Sequence, residues 1–284
     1  LQAQVDPQEV ARFEREAQLL AELQHPHIVE YVAHGVAEGG QPYLAMEWLE
    51  GEDLEQHLRR RLPTVAEAVA LLTGVSAALA EAHQRGIFHR DLKPSNLFLR
   101  GGDLRRVVVL DFGLARRALR TGGLTRTGVI VGTPEYMAPE QVQGEAADVR
   151  MDIYALGCIM YQLLTGQLPF SDKTMFGVLS QQVNVKPVAP RQLAPDADIP
   201  PEVEVIILKA MEKDRANRFQ TMAELIEALV AAPRGTGDAR GGTTSNLEAA
   251  AAAARMAAAM NAVGTSPSGS MPFTPAPTPQ DMSF

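Results

Sequence analysis

The chain has 284 residues and a mass of 30.7 kDa, enough for one large domain or two modest ones with a sizeable core. With 46% hydrophobic and 21% charged residues, a net charge of −8 and a pI near 5.3, the composition is ordinary for a globular protein and argues against a nucleic-acid-binding surface, which shows as a basic domain. A single cysteine excludes an intramolecular disulfide framework and a multi-cysteine metal site, and no signal-peptide pattern or membrane-length apolar run is evident, so we expect a soluble cytoplasmic protein.

Taken in chain order, the first element is a helix opening at Asp6-Pro7-Gln8-Glu9. Asp6 is a good N-cap, Pro7 suits the first helical position and Glu9 completes a capping box. Val10, Phe13, Ala17 and Leu20 follow as an apolar stripe at helical spacing. Residues 28–36 and 42–48 read as an antiparallel hairpin around a Glu38-Gly39-Gly40 turn. Thr64 with Glu67 caps a long helix that stops at Gly86. Short β segments are expected at 87–89, 96–99 and 107–110. Beyond residue 135 the periodic segments are helical, the strongest at 149–165 with Gly166 as its stop signal. Composition shifts near Pro233: residues 233–284 hold six prolines, an alanine run at 249–260 that reads as a short helix capped by Ser245 and Glu248, and a Ser/Thr/Pro-rich end expected to be disordered.

The chemistry is carried by His89-Arg90-Asp91-Leu92-Lys93-Pro94-Ser95-Asn96, by Asp111-Phe112-Gly113 twenty residues after Asp91, and by Ala138-Pro139-Glu140. This ordered series resembles the eukaryotic-type (Hanks-type) serine/threonine protein kinase family, in its bacterial form, over most of residues 6–230. The resemblance implies an α+β, bilobal kinase-like fold at residues 1–232 with a small N-terminal lobe and a large, mainly α-helical C-terminal lobe, followed by the Ala/Pro-rich tail at 233–284. It also implies transfer of the ATP γ-phosphate to Ser/Thr hydroxyls of protein substrates with Mg2+.

Phosphoryl transfer needs positioning and charge neutralisation more than covalent help. On this resemblance Asp91 accepts or orients the proton of the attacking hydroxyl, and Asn96 and Asp111 supply the hard oxygen ligands that magnesium requires. Lys93 steadies the transferring phosphoryl group and favours Ser/Thr acceptors. Glu16 on the first helix takes the place of the glutamate that pairs with a strand lysine. Met46 resembles the gatekeeper, Glu47-Trp48-Leu49 the hinge whose backbone binds adenine, and Phe98 the residue beneath the adenine ring. Leu20, His89 and Phe112 resemble an internal hydrophobic spine. Asp152 resembles the buried anchor of the catalytic loop, and Glu140 is expected to pair with Arg218 as a structural bridge. Arg90 implies a switch by loop phosphorylation, since a phosphate needs an arginine to order against. Thr125 and Thr127 resemble the phosphorylated pair, and Thr133 a threonine that contacts Asp91 and Lys93. Autophosphorylation makes a dimer an expected partner state.

Other features take plain readings: His25-Pro26-His27 as loop residues rather than metal ligands, Cys158 as core, and Thr274-Pro275 and Thr278-Pro279 as linker. A complete kinase carries about three further strands before this first helix, with a G-x-G-x-x-G loop and a phosphate-binding lysine. No G-x-G-x-x-G occurs here, the first lysine is Lys93, and residue 1 is Leu rather than Met. We therefore expect a piece of a longer reading frame, with an incomplete N-terminal lobe, a mobile first third, exposed apolar surface there and little activity alone. The alternative is a non-catalytic scaffold that binds a partner through its helical lobe.

Overall fold

The computed structural model describes residues 7–37, 41–112, 133–146 and 148–233. Asp6, the turn at 38–40, the helix expected at 249–260 and the rest of the tail lie outside the described residues.

Helix α1 spans Pro7–Ala21. Ala17 is fully buried and Phe13 and Leu20 are half-buried, so the stripe faces inward over the helix's second half. Strands β1 (Tyr31–Val36) and β2 (Pro42–Met46) form the antiparallel hairpin. β1 starts later than expected because residues 27–29 join a different partner. The Val109 N–H donates to the His27 carbonyl at 2.8 Å and the Val29 N–H to the Val109 carbonyl at 3.2 Å. Apolar surface is exposed on this hairpin and the segment after it: Val32 is 62% accessible, Tyr43 49% and Trp48 90%.

A second antiparallel sheet runs in the order β3 (Gly51–Asp53), β4 (Leu97–Arg100), β5 (Val107–Val109). β3 was not expected, since Gly-Glu-Asp reads as a turn. Gly51 makes it possible: its φ is 145°, and a Cβ there would sit 2.0 Å from the Leu99 carbonyl oxygen. No strand forms at 87–89, although β-branched and aromatic residues favour one. The Ile87 N–H closes the preceding helix by donating to the Ala82 carbonyl, and the His89 N–H is taken by the Asp152 carboxylate, so both donors on that edge are committed elsewhere.

Helix α2 (Leu54–Leu58) is capped by Asp53. Helix α3 (Val65–Gln84) opens on the expected capping box, with the Glu67 N–H donating to Thr64 Oγ1 and the Thr64 N–H to Glu67 Oε2. The Arg61 guanidinium beside Glu67 pulls its carboxyl down to about 2, against partial burial and with help from Thr64. Gly86, at φ 71°, ends α3 with paired bonds from the Gly86 N–H to the His83 carbonyl and the Ile87 N–H to the Ala82 carbonyl. By length and composition α3 could cross a membrane, a segment the sequence reading had not picked out; 67% of its apolar window is buried inside the fold, as in a core helix.

The regular elements among the remaining described residues are helical: α4 (Pro139–Val142), α5 (Arg150–Thr165), α6 (Met175–Asn184), α7 (Pro190–Leu193), α8 (Pro201–Ala210) and α9 (Met222–Ala231). α5 is buried on nearly every face and is the axis of this lobe. Each large apolar side chain it buries, Ile153, Leu156 and Ile159 among them, contributes roughly 1.5–3 kcal/mol. Gly157 lets α8 approach, since a Cβ there would meet Ala210 Cβ at 3.0 Å. Cys158 is core as expected, and burial pushes its thiol up to about 12. His25 and His27 are loop residues as expected; His27 Nδ1 donates to the Val107 carbonyl at 2.7 Å and its ring packs on Gly74.

Candidate active site

Between α3 and β4 the chain bends at Arg90 and turns at Pro94–Asn96. Asp152, projecting from the first turn of α5 and 1% exposed, organises this loop. Its carboxylate accepts from the His89 N–H at 2.9 Å, the Arg90 N–H at 3.0 Å and His83 Nε2 at 2.7 Å. Burial would raise its pKa, but the hydrogen bond and charge of His83, with His89 and the Arg90 N–H, outweigh burial and hold the carboxyl below its ordinary value.

His89 is fully buried. Its Nε2 faces the Leu110 carbonyl at 2.8 Å, while its Nδ1 accepts from the Asp91 N–H at 3.3 Å. A carbonyl only accepts and an N–H only donates, so the ring carries its proton on Nε2. Burial lowers its pKa, against the pull of Asp152. The Phe112 ring, 4% exposed, lies 5.2 Å from the His89 ring, and Leu20 packs on the same core. The expected spine residues are therefore in one apolar core.

Asp91 receives Thr133 Oγ1 on Oδ1 at 3.4 Å and lies 3.3 Å from Lys93 Nζ through Oδ2. Lys93 Nζ also donates to Thr133 Oγ1 at 3.1 Å, closing a triangle. Asn96, 9% exposed, donates its amide Nδ2 to the Asp91 carbonyl at 2.8 Å, which leaves its carboxamide oxygen for a cation. The Leu110 N–H donates to the Asn96 carbonyl at 2.9 Å and so sets Asp111 beside this loop, its side chain exposed. The donor set is two hard oxygens on neighbouring segments, and among the described residues no cluster of three or more His, Cys, Asp or Glu could hold a metal. That suits magnesium, which takes one or two protein oxygens and completes its shell with phosphates and water.

Arg90 and Asp111 have φ of 65° and 50°, left-handed values that are uncommon outside glycine. Gln141, which the sequence reading passed over, donates Nε2 to the Arg90 carbonyl at 2.9 Å while its Oε1 accepts the Ala138 N–H at 3.0 Å. His83 was likewise missed. Neither stands out in sequence, since a Gln after Pro-Glu and a His late in a helix carry no periodic signal.

At the hinge, the Glu47 N–H donates to the Glu30 carbonyl at 2.9 Å, and its carboxylate accepts from the Glu30 N–H and Arg100. Its side chain thus braces Glu30, the residue before β1, to Arg100 on β4. Leu49 follows two residues later. Phe98 is half-buried on the opposite face of β4 from Leu97 and Leu99, across from Asp53 and Val108. Glu140 and Arg218 make the expected bridge, with bonds of 2.7 and 2.8 Å between 3% and 2% exposed residues. Thr125 and Thr127 lie outside the described residues; Glu16 lies on α1, with its side chain outside them too.

A carboxylate paired with a lysine, on a loop anchored by Asp152, thus stands beside two hard oxygens on neighbouring segments. Residues 2–230 match the protein kinase domain family, and the chain belongs to it. Serine/threonine-protein kinase pkn3 of Myxococcus xanthus is 42% identical over 219 residues, covering 75% of this chain and 40% of the relative. PknB of Mycolicibacterium smegmatis is 40% identical over 230 residues, 79% of this chain and 36% of the relative. The chain thus spans about two fifths of the length of these curated relatives. Among solved structures, Rad53 1–466 in complex with AMP-PNP superposes with a TM-score of 0.64 at 28% identity, covering 77% of this chain and 53% of that one.

Proposed function

We propose that this chain carries the catalytic loop of a serine/threonine protein kinase, which transfers the ATP γ-phosphate to Ser/Thr hydroxyls of protein substrates. The observation that supports it most is the triangle of Asp91, Lys93 and Thr133, with Asn96 and Asp111 alongside. Asp91 orients the acceptor hydroxyl and takes its proton. Lys93, already paired to that carboxylate, neutralises charge on the phosphoryl group in flight. Asn96 and Asp111 hold Mg2+, which neutralises phosphate charge when bound. The carbonyl of Glu47, the backbone of Leu49 and the ring of Phe98 receive adenine, Glu16 would pair with a phosphate-binding lysine supplied from outside this sequence, and Arg90 orders a loop phosphate at Thr125 or Thr127 when two chains phosphorylate each other.

The finer part of the reading concerns rate. The sequence has no G-x-G-x-x-G and no lysine before Lys93. Losing one preorganised donor typically costs about 10²–10³ in rate, so we propose that this chain alone is at least that much slower than one supplied with both groups. The same absence favours a second reading, a non-catalytic scaffold. Calorimetry with ATP–Mg2+ and radiolabel transfer to a serine peptide separate them, run on this chain and on one extended upstream in its reading frame. Binding and transfer by the extended chain alone support both parts. Equal transfer by the two removes the rate part, and no binding by either leaves the scaffold.

A further inference from the structure

Thr133 opens the turn Pro134–Tyr136 and its hydroxyl donates to Asp91 at 3.4 Å, so the turn borders the place where, on the kinase reading, an acceptor hydroxyl would meet Asp91. That turn is held on two sides. Tyr136 Oη donates to Gln162 Oε1 on α5 at 2.7 Å. On the other side stands Gln182, near the end of α6 and 0% exposed. Its Nε2 donates to the Pro134 carbonyl at 3.0 Å and to the Glu135 carbonyl at 2.8 Å. Its Oε1 accepts from Tyr154 Oη at 2.6 Å. Its own backbone carbonyl accepts from Lys213 Nζ at 2.7 Å, and that ammonium also donates to Tyr154 Oη at 2.9 Å.

A primary carboxamide is the neutral side chain that gives two hydrogens to two carbonyls and still accepts one bond in return. Every polar atom of the Gln182 side chain is used, in a site where an unmet group is costly. The backbone bonds inside the turn are long by comparison: the Tyr136 N–H reaches the Thr133 carbonyl at 3.2 Å and the Met137 N–H the Pro134 carbonyl at 3.3 Å. The turn's position is thus set by side chains from α5 and α6 rather than by its own backbone.

We propose that Gln182 is a positioning residue for the protein acceptor: it fixes the Thr133–Tyr136 turn to α6, and so sets where the acceptor backbone lies relative to Asp91, without touching a reacting atom. This rests on the kinase reading above. It predicts an effect on acceptor binding with little effect on the chemical step.

The test compares Gln182→Met, which keeps the length and removes every polar atom, with Gln182→Glu, which keeps the acceptor for Tyr154 and removes both donors. Tyr154→Phe is the control, since it leaves both donors in place. Amide hydrogen exchange in the full chain should rise about tenfold or more at Glu135, Tyr136 and Met137 in both Gln182 variants, with α3 and α5 within about twofold of wild type. In the transfer assay their KM for a single-serine peptide should rise about tenfold with kcat within about twofold, and Tyr154→Phe should leave KM within about twofold. Exchange that rises evenly across the lobe, or stays unchanged in the turn, overturns the proposal, as does a fall in kcat at constant KM. Should the wild-type chain transfer no phosphate, that counts against its activity, and the exchange data still decide the role of Gln182.

Discussion

Replacing Glu140 by Gln removes one charge and almost no volume. Arg218 occupies the site with all five of its N–H donors engaged. Nη1 meets Glu140 Oε1 and the Arg150 carbonyl, Nη2 meets Glu140 Oε2 and the Lys213 carbonyl, and Nε meets the Glu212 carbonyl. The guanidinium also sits 4.8 Å from the centre of the Tyr154 ring. The two residues are 3% and 2% exposed, so water screens little of the charge that Glu140→Gln would leave unbalanced. Breaking such a buried pair from one side costs about 3–5 kcal/mol. A domain of this size loses about 2–4 °C of Tm per kcal/mol, so the variant should melt roughly 6–20 °C below wild type. Arg218→Lys should do at least as badly, because three donors on a flexible stem replace a planar fork that serves five acceptors. Calorimetric melting of the three chains checks both. A drop under about 3 °C for Glu140→Gln would mean the bridge is solvated in solution, and the reasoning from burial would fail.

Asp152→Asn should cost about 2–4 kcal/mol in urea unfolding, since one amide face of the new side chain opposes a backbone N–H that the carboxylate now accepts. In the transfer assay it should lower kcat with KM little changed; a variant as active and as stable as wild type would show that the loop holds without its anchor. The third expectation concerns alkaline pH. Burial brings the Lys213 ammonium down to about 8 and pushes the Cys158 thiol up to about 12. The unfolded chain binds more protons at Lys213 between pH 8 and 10.5, so that contribution to stability rises with pH; at Cys158 the folded state keeps a proton the unfolded chain releases from pH 9, so that contribution falls up to pH 12. Urea midpoints should therefore climb just above pH 8 and decline above about 10.5, with Lys213→Met abolishing the climb; a steady fall from neutral pH onward contradicts the sign.

Much of the site could be read in the sequence because its chemistry is local. Asp91, Lys93 and Asn96 lie within one octapeptide, and Asp111 is set by a short strand pair. What escaped is non-local. Gln141, His83 and Gln182 are ordinary polar residues in or beside helices, and only packing reveals that each closes a bond to a group far away in sequence, Gln141 and Gln182 to loop carbonyls and His83 to Asp152 on α5. The strand expected at 87–89 failed in part for the same reason: Asp152, more than sixty residues on, takes the His89 N–H, while the Ile87 N–H closes the preceding helix. β3 was the converse, a turn-like tripeptide made into a strand by the close approach that Gly51 permits. Glu47 was assigned to the hinge, yet its side chain is committed to Glu30 and Arg100, a structural duty that the motif does not encode.

Backbone strain follows the same division. Of the three non-glycine residues with positive φ among the described residues, Arg90 and Asp111 are at the site and only Asp198 is elsewhere, in a loop. Such a conformation costs about 1–3 kcal/mol per residue and persists only where its surroundings over-determine it. For Arg90 the surroundings are explicit: Asp152 takes its N–H, Gln141 takes its carbonyl, and the next N–H, that of Asp91, goes to His89. For Asp111 the preceding residue is fixed twice, by the bond from the Leu110 N–H to Asn96 and by the bond from His89 to the Leu110 carbonyl. All of these anchors come from α4, α5 and the His89–Asn96 loop, and none from the β1–β2 hairpin. The helical lobe thus fixes the backbone at Arg90 and Asp111 without help from the β1–β2 hairpin.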